Sequence, residues 1–194
     1  MNLLRAFIAL EIPLEIREAV CKEMAPLQKG IGSVVRWVPM ENMHLTLNFL
    51  GDVSPTNVEM LSQMLRAEAE LFHCFDLRLY GLGSFPNLRR PRIIYIGIQA
   101  PVTLESLQRG IESAVRRLGY ESEERGFSPH LTIGRVKQHV TATEQQTIRR
   151  TLEETRIDLL GTARVDSVHL YKSDLKPTGS VYTRLYSAPL KKIL

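Results

Sequence analysis

Apolar and polar positions along the chain follow two rhythms that trade places repeatedly. Residues 5–12 form a dense apolar run that reads as a strand. Pro13 can open a helix that carries Ile16, Val20, Met24 and Leu27 on one stripe, and Gly30 and Gly32 can close it. Residues 34–38 and 43–50 read as strands, with Gly51-Asp52 as the turn that follows. Ser54-Pro55 reads as an N-cap with proline at the first helical position, opening a stripe of Val58, Leu61, Leu65, Ala69 and Phe72. Residues 75–82 and 93–98 predict two strands around a polar loop. A third helix carries Leu104, Leu107, Ile111, Val115 and Leu118, and Gly119 can end it. Residues 130–136 predict a strand, Thr141 with Glu144 a capping box for a fourth helix, and residues 164–171 and 181–187 two closing strands.

Several neighbouring strands are joined too closely for a parallel crossover, which takes a dozen or more residues. The pattern therefore predicts an α+β fold with antiparallel or mixed sheets. A length of 194 residues suits one domain, or one domain of two lobes, with a sizeable core. The net charge of +4 permits an anionic partner without requiring one. The two cysteines, Cys21 and Cys74, lack metal-type spacing and read as free thiols in a reducing compartment. The opening stretch is broken by Arg5, meets Glu11 and offers no small-residue cleavage site, so a secretory signal is not expected. No apolar run approaches the roughly 20 residues that span a bilayer. The expected location is the cytoplasm.

One repeat changes the picture. His44-Leu45-Thr46-Leu47 and His130-Leu131-Thr132-Ile133 are near copies, 86 positions apart, each inside a strand-like run. Side chains alternate faces along a strand. Each His therefore shares a face with its Thr, while Leu45, Leu47, Leu131 and Ile133 take the other face and can enter a core. Two such hits by chance arise on the order of once in ten thousand sequences. The residue types suit phosphoester chemistry: imidazole can take or give a proton near neutral pH, and threonine hydroxyls can meet phosphoryl oxygens. Duplication predicts a pseudo-twofold arrangement, with one pair on each side of a phosphate, as in-line displacement needs.

The doublet resembles that of the 2H phosphoesterase superfamily and, within it, the bacterial and archaeal RNA 2′,3′-cyclic phosphodiesterases, once called 2′-5′ RNA ligases. The likeness runs through Arg5-Ala6-Phe7-Ile8-Ala9, Arg36-Trp37-Val38, His44 to Gly51, Gly83-Ser84-Phe85-Pro86, Pro91 to Tyr95, Phe127 to Arg135, and Leu170-Tyr171-Lys172-Ser173. The resemblance implies a single bilobal domain over residues 1–194, with two mostly antiparallel sheets flanked by helices around a central cleft. It implies hydrolysis of RNA 2′,3′-cyclic phosphate ends, or of a related cyclic nucleotide, to a 2′-phosphate without metal or cofactor. It makes His44 the proton donor to the departing 3′ oxygen and His130 the base acting on water. Thr46 and Thr132 would hold the phosphate, and Arg135 would add a charged contact. The motifs alone do not say which histidine is acid and which is base. Two other functions are compatible with the residues: 2′-5′ ligation or phosphodiesterase activity, and a non-catalytic module that binds nucleotide or RNA. No obligatory protein partner is implied, and a monomer is expected.

The remaining candidates read more plainly. His169 reads as structural or surface, and His73 and His139 as surface. Trp37 and Phe127 can stack a base, but core packing is the better reading. The loop Asn87-Leu88-Arg89-Arg90-Pro91-Arg92 is the densest basic patch, and two readings stand for it: a solvated hairpin loop, or a contact with an RNA backbone.

Overall fold

The structure is a computed structural model that describes residues 3–121, 126–177 and 179–192. Met1 and Asn2, part of the opening stretch read above, lie outside the described residues. Among the described residues, nine strands and four α-helices follow one another: β1 (Leu4–Glu11), α1 (Leu14–Ile31), β2 (Val35–Trp37), β3 (His44–Val53), α2 (Val58–Ala69), β4 (Phe75–Phe85), β5 (Ile93–Gln99), α3 (Val102–Arg117), β6 (His130–Val136), α4 (Ala142–Glu154), β7 (Gly161–Val165), β8 (Ser167–Lys176) and β9 (Gly179–Pro189). They form two sheets, with strand order β3-β1-β8-β9 in the first and β2-β6-β5-β4-β7 in the second. Every pair of neighbouring strands is antiparallel. The predicted α+β class with two antiparallel sheets and flanking helices is thus what the chain builds.

The two sheets repeat one plan. The first runs outward from the motif strand β3 through β1 and β8 to β9. The second runs outward from the motif strand β6 through β5 and β4 to β7, with β2 added beyond β6. The motif strands β3 and β6 lie against each other, so the repeat meets itself at the junction.

Helices cover the opposite faces. α2 lies on β8 and β9, α3 on β3 and α2, and α1 on α4 and β7. The helical stripes drawn from periodicity are the buried ones: Ile16, Val20, Met24 and Leu27 on α1, Leu61, Leu65 and Ala69 on α2, and Leu104, Leu107, Ile111 and Val115 on α3. Burying each large aliphatic side chain contributes about 1.5–3 kcal/mol relative to leaving it in water. The Thr141–Glu144 capping box is formed: the Glu144 N–H donates to Thr141 Oγ1 at 3.2 Å and the Thr141 N–H to Glu144 Oε2 at 2.7 Å. Among the described residues, no helix is long and apolar enough to cross a membrane.

Four local expectations are corrected. Gly51-Asp52 is no turn: β3 runs on to Val53, and Gly51, at φ 67°, absorbs an irregularity in the pairing with β1. Ser54 caps no helix with its side chain; it leads into a 3-10 turn at Pro55–Asn57 and its hydroxyl meets Thr56 Oγ1. Phe72 falls past the end of α2. The strand expected over residues 164–171 is two strands broken at Asp166, because β7 pairs with β4 in one sheet and β8 with β1 in the other. The buried apolar positions record the break, since Ala163 and Val165 are odd-numbered and Val168 and Leu170 even-numbered.

Candidate active site

Both motif strands depart from regular pairing at the same place. In β3, Thr46 pairs with Ala9 and Asn48 with Ile8, which leaves Leu47 as an extra residue. In β6, Thr132 pairs with Tyr95 and Gly134 with Ile94, which leaves Ile133 extra. A bulge of this kind bends the strand and reverses which face the following residues take. Before it, His44 and Thr46, and His130 and Thr132, share the half-buried face that points away from the core, the motif face. After it, Asn48 and Gly134 turn into the core, and Phe49 and Arg135 turn out onto the motif face. Strict alternation would have sent Arg135 inward with Leu131 and Ile133. Gly134 is required at its position, because a Cβ there would sit 2.7 Å from Val35 Cγ1 and 3.1 Å from the Trp37 ring.

The imidazoles are held alike. His44 Nδ1 lies 2.8 Å from the Asn42 carbonyl oxygen, and His130 Nδ1 lies 2.7 Å from the Ser128 carbonyl oxygen. A carbonyl can only accept, so Nδ1 carries the proton in both rings and Nε2 is left for chemistry. In the neutral ring Nε2 can accept a proton; in the cation it can donate one, with the same carbonyl bond intact in either state.

Aromatic rings build the walls. Phe7 lies 4.8 Å from the His44 ring, centroid to centroid, and Tyr182 meets it edge-on at 5.2 Å. Phe85 meets the His130 ring edge-on at 5.0 Å, and Tyr95 lies at 5.4 Å. The Tyr95 ring reaches this place by lying across Gly83, where a Cβ would come within 2.5 Å of it. Burial pushes His44 down from its ordinary value of 6.5 to about 4; the Asn42 bond works against this and the charge of Arg135 adds to it. That last influence places Arg135 within electrostatic reach of His44, across the junction between the lobes.

Beside His44 opens a cavity of about 210 Å³, with Phe7, Tyr171 and Tyr182 among its walls and Arg17, Glu41 and Arg184 among its polar lining. Arg184 donates to Glu11 Oε2 at 3.2 Å. Thr46 and Thr132 are half-buried at equivalent places on the motif face. Among the described residues, no three His, Cys, Asp or Glu side chains gather as a metal ion would require.

Comparison with known proteins decides what this geometry belongs to. The family model for LigT like phosphoesterases matches the chain twice, over residues 14–95 and again over 96–182. The chain belongs to the LigT-like phosphoesterases. The 2H resemblance drawn from the two motifs is thereby established, and with it the membership of this chain in a family of enzymes. Among related LigT-like phosphoesterases is the RNA 2′,3′-cyclic phosphodiesterase of Methanothermobacter thermautotrophicus, 32% identical over 92% of this chain and 95% of the relative. Another is the RNA 2′,3′-cyclic phosphodiesterase of Thermotoga maritima, 32% identical over 94% of each chain. The solved structure of E. coli LigT complexed with 3′-AMP superposes with a TM-score of 0.78 at 28% identity, covering 98% of this chain and 99% of that one.

In this LigT-like chain the five residues singled out from sequence all lie on the motif face, three on β6 and two on β3. Trp37 and Phe127 do not join them; both pack against the core. His169 is structural in its burial, at 3% exposure, with Ser167 Oγ 3.3 Å from Nε2 and, among the described residues, no hydrogen-bond partner for Nδ1. Cys21 and Cys74 are free thiols. Periodicity did not point to Phe7, Phe85, Tyr95 and Tyr182 as the rings around the histidines. Tyr95 carried the clearest signal, as the aromatic residue of an otherwise aliphatic strand.

Proposed function

We propose that this enzyme hydrolyses RNA 2′,3′-cyclic phosphate ends to 2′-phosphates by two-histidine acid–base catalysis that needs no metal. The observation that carries this reading is the matched pair of Nδ1–H bonds to the Asn42 and Ser128 carbonyls, which leaves two Nε2 atoms on one face of a duplicated scaffold. In the reaction, one Nε2 takes a proton from water as its oxygen attacks phosphorus. The other gives a proton to the departing 3′ oxygen. The products are a 2′-phosphate and a free 3′ hydroxyl.

The family resemblance assigns the base to His130 and the acid to His44. His44, held down to about 4 by burial, is neutral near pH 7. A phosphodiester anion beside it offsets both burial and the charge of Arg135, so its proton arrives with the substrate. Thr46 and Thr132 donate hydroxyls to the phosphoryl oxygens, and Arg135 balances the charge that builds on them. The names of the relatives from Methanothermobacter thermautotrophicus and Thermotoga maritima support the substrate. The two matched halves support reading residues 1–194 as one bilobal unit, which we place in the cytoplasm as a monomer.

The test uses a single-stranded RNA ending in a 2′,3′-cyclic phosphate, in the presence of a chelator. The wild type converts it to the 2′-phosphate, and His44→Ala and His130→Ala each lower kcat by about 10²–10⁴-fold. Activity that requires an added divalent cation, or that survives both substitutions, would overturn the mechanism.

A further inference from the structure

Arg135, turned onto the motif face by the Ile133 bulge, stands directly opposite Arg36 of β2 in the antiparallel register. Directly opposed residues have Cα atoms about 4.5–5.5 Å apart, and like charges so placed destabilise the pair. Both side chains are exposed, and among the described residues neither has a carboxylate within ion-pair distance. An anion lying between them would turn this repulsion into attraction.

The basic loop of residues 87–92 is fastened to the same end of the second sheet. The Arg92 N–H donates to the Phe85 carbonyl at 2.7 Å, and the Val136 N–H donates to the Arg92 carbonyl at 2.9 Å. Val136 follows Arg135 and pairs with Val35, which precedes Arg36. Asn87 Oδ1 accepts from the N–H groups of Arg89 and Arg90 at 3.0 and 3.1 Å, and Gln145 Nε2 donates to the Arg89 carbonyl at 3.1 Å. The backbone of the loop is therefore fixed while the side chains of Arg89, Arg90 and Arg92 stay exposed. Glu144, at the start of the neighbouring α4, is committed to the Thr141 cap. Positive charge thus runs from Arg135, on the motif face, through Arg36 at the sheet edge, with the Arg89–Arg90 loop at the same end.

We propose that Arg36, Arg135 and the Arg89–Arg90 loop form a track for the RNA backbone phosphates that precede the cyclic end. The track makes the preferred substrate an oligonucleotide end and not a mononucleoside 2′,3′-cyclic phosphate. The proposal rests on the cyclic phosphodiesterase reading and adds the substrate size and the residues that sense it. A single arginine–phosphate contact on such a track is worth roughly tenfold in kcat/KM.

The experiment compares kcat/KM for a short RNA ending in a 2′,3′-cyclic phosphate with that for a mononucleoside 2′,3′-cyclic phosphate, across a range of salt concentrations. The wild type is expected to favour the RNA, with a steep salt dependence. Arg36→Ala, and separately the Arg89→Ala/Arg90→Ala double variant, should lower the ratio of the two values roughly tenfold or more. Each should also flatten the salt slope by about 0.7 for every phosphate that no longer meets an arginine. Arg36→Lys keeps the charge and should restore most of the slope. A wild-type ratio near one, or a ratio and slope that none of these variants moves, would overturn the track while leaving the phosphodiesterase reading standing. Failure of the wild type on both substrates would overturn the reading beneath it, and the track with it.

Discussion

His44 and His130 hang from their strands by the same bond, yet the two lobes give them different surroundings. In the first lobe the bond to Asn42 is partly buried, Phe7 and Tyr182 close on the ring, and the residue turned out by the bulge is Phe49. In the second lobe the bond to Ser128 is open to solvent, and the residue turned out by the equivalent bulge is Arg135, with Arg36 beside it. The duplicated parts set the tautomer and direction of each imidazole. The parts that are not duplicated divide the work after each bulge: Phe49 stands at that place in one lobe, and Arg135, with Arg36 opposite it, in the other. A two-histidine mechanism needs its acid and its base to behave differently, and a strictly symmetric pair would supply no reason for that.

The different surroundings of the two histidines have their largest expected effect on the pH dependence of stability. His44 is held below its ordinary value in the folded chain, so between pH 6.5 and about 4 the unfolded chain binds a proton that the folded chain does not. Stability is therefore intact above pH 6.5 and falls as pH drops towards 4, by at most about 3 kcal/mol from this residue. His169, also pushed down by burial and by Arg184, adds a slope of the same sign. His44→Asn keeps a donor for the Asn42 carbonyl and cannot titrate. In denaturant melts at pH 7 and pH 4.5, the variant should lose much less stability than the wild type. Equal losses would mean that His44 is not held neutral.

A smaller effect separates the two residues that follow the bulges. Arg135→Gln should lower kcat/KM on a cyclic phosphate by about 1.5–3 kcal/mol, the usual range for a hydrogen bond to a charged group. It should also raise the pKa of His44, followed by NMR, because a positive neighbour has gone. Phe49→Ala, at the equivalent place in the other lobe, should leave that pKa in place. If Phe49→Ala moved the His44 titration as far as Arg135→Gln does, the division of labour between the lobes would fail.

The sequence made the helices and the motif faces legible because their signals are local. The stripes of α1, α2 and α3 follow a 3.6-residue period, and Thr141 with Glu144 is a short-range cap. Phase slips were harder to read, since a slip becomes visible only when two neighbouring segments are compared. In β6 the apolar positions run Leu131, Ile133, then Val136, and lose step after the fourth residue of the motif; in β3 Phe49 follows Leu45 and Leu47 in step and masks the slip. The lost step in β6 is the bulge. It was available in the residues and would have placed Arg135 on the motif face. The same kind of slip, from Val165 to Val168, marks the passage of the chain from one sheet to the other. The opposition of Arg36 and Arg135 had no local signal, because it arises from the pairing of β2 with β6 across 99 positions of chain.

The smallest expected effect tests the part of the site that is duplicated. Thr46 and Thr132 stand two residues after their histidines and before equivalent bulges, but Thr46 faces Ala9 across the ladder while Thr132 faces Tyr95. Thr→Val removes the hydroxyl and keeps the β-branched shape that suits a strand. A single neutral hydrogen bond is worth about 0.5–1.5 kcal/mol, so each substitution should lower kcat/KM about 2–12-fold. If the hydroxyls act as a symmetric pair on the phosphate, the two losses should match and should add in the double variant. A loss confined to Thr132→Val would mean that the phosphate is gripped by the β6 lobe alone, beside Arg135. Thr46 would then be a strand residue kept by its shape, and the symmetry of the motif would reach no further than the histidines.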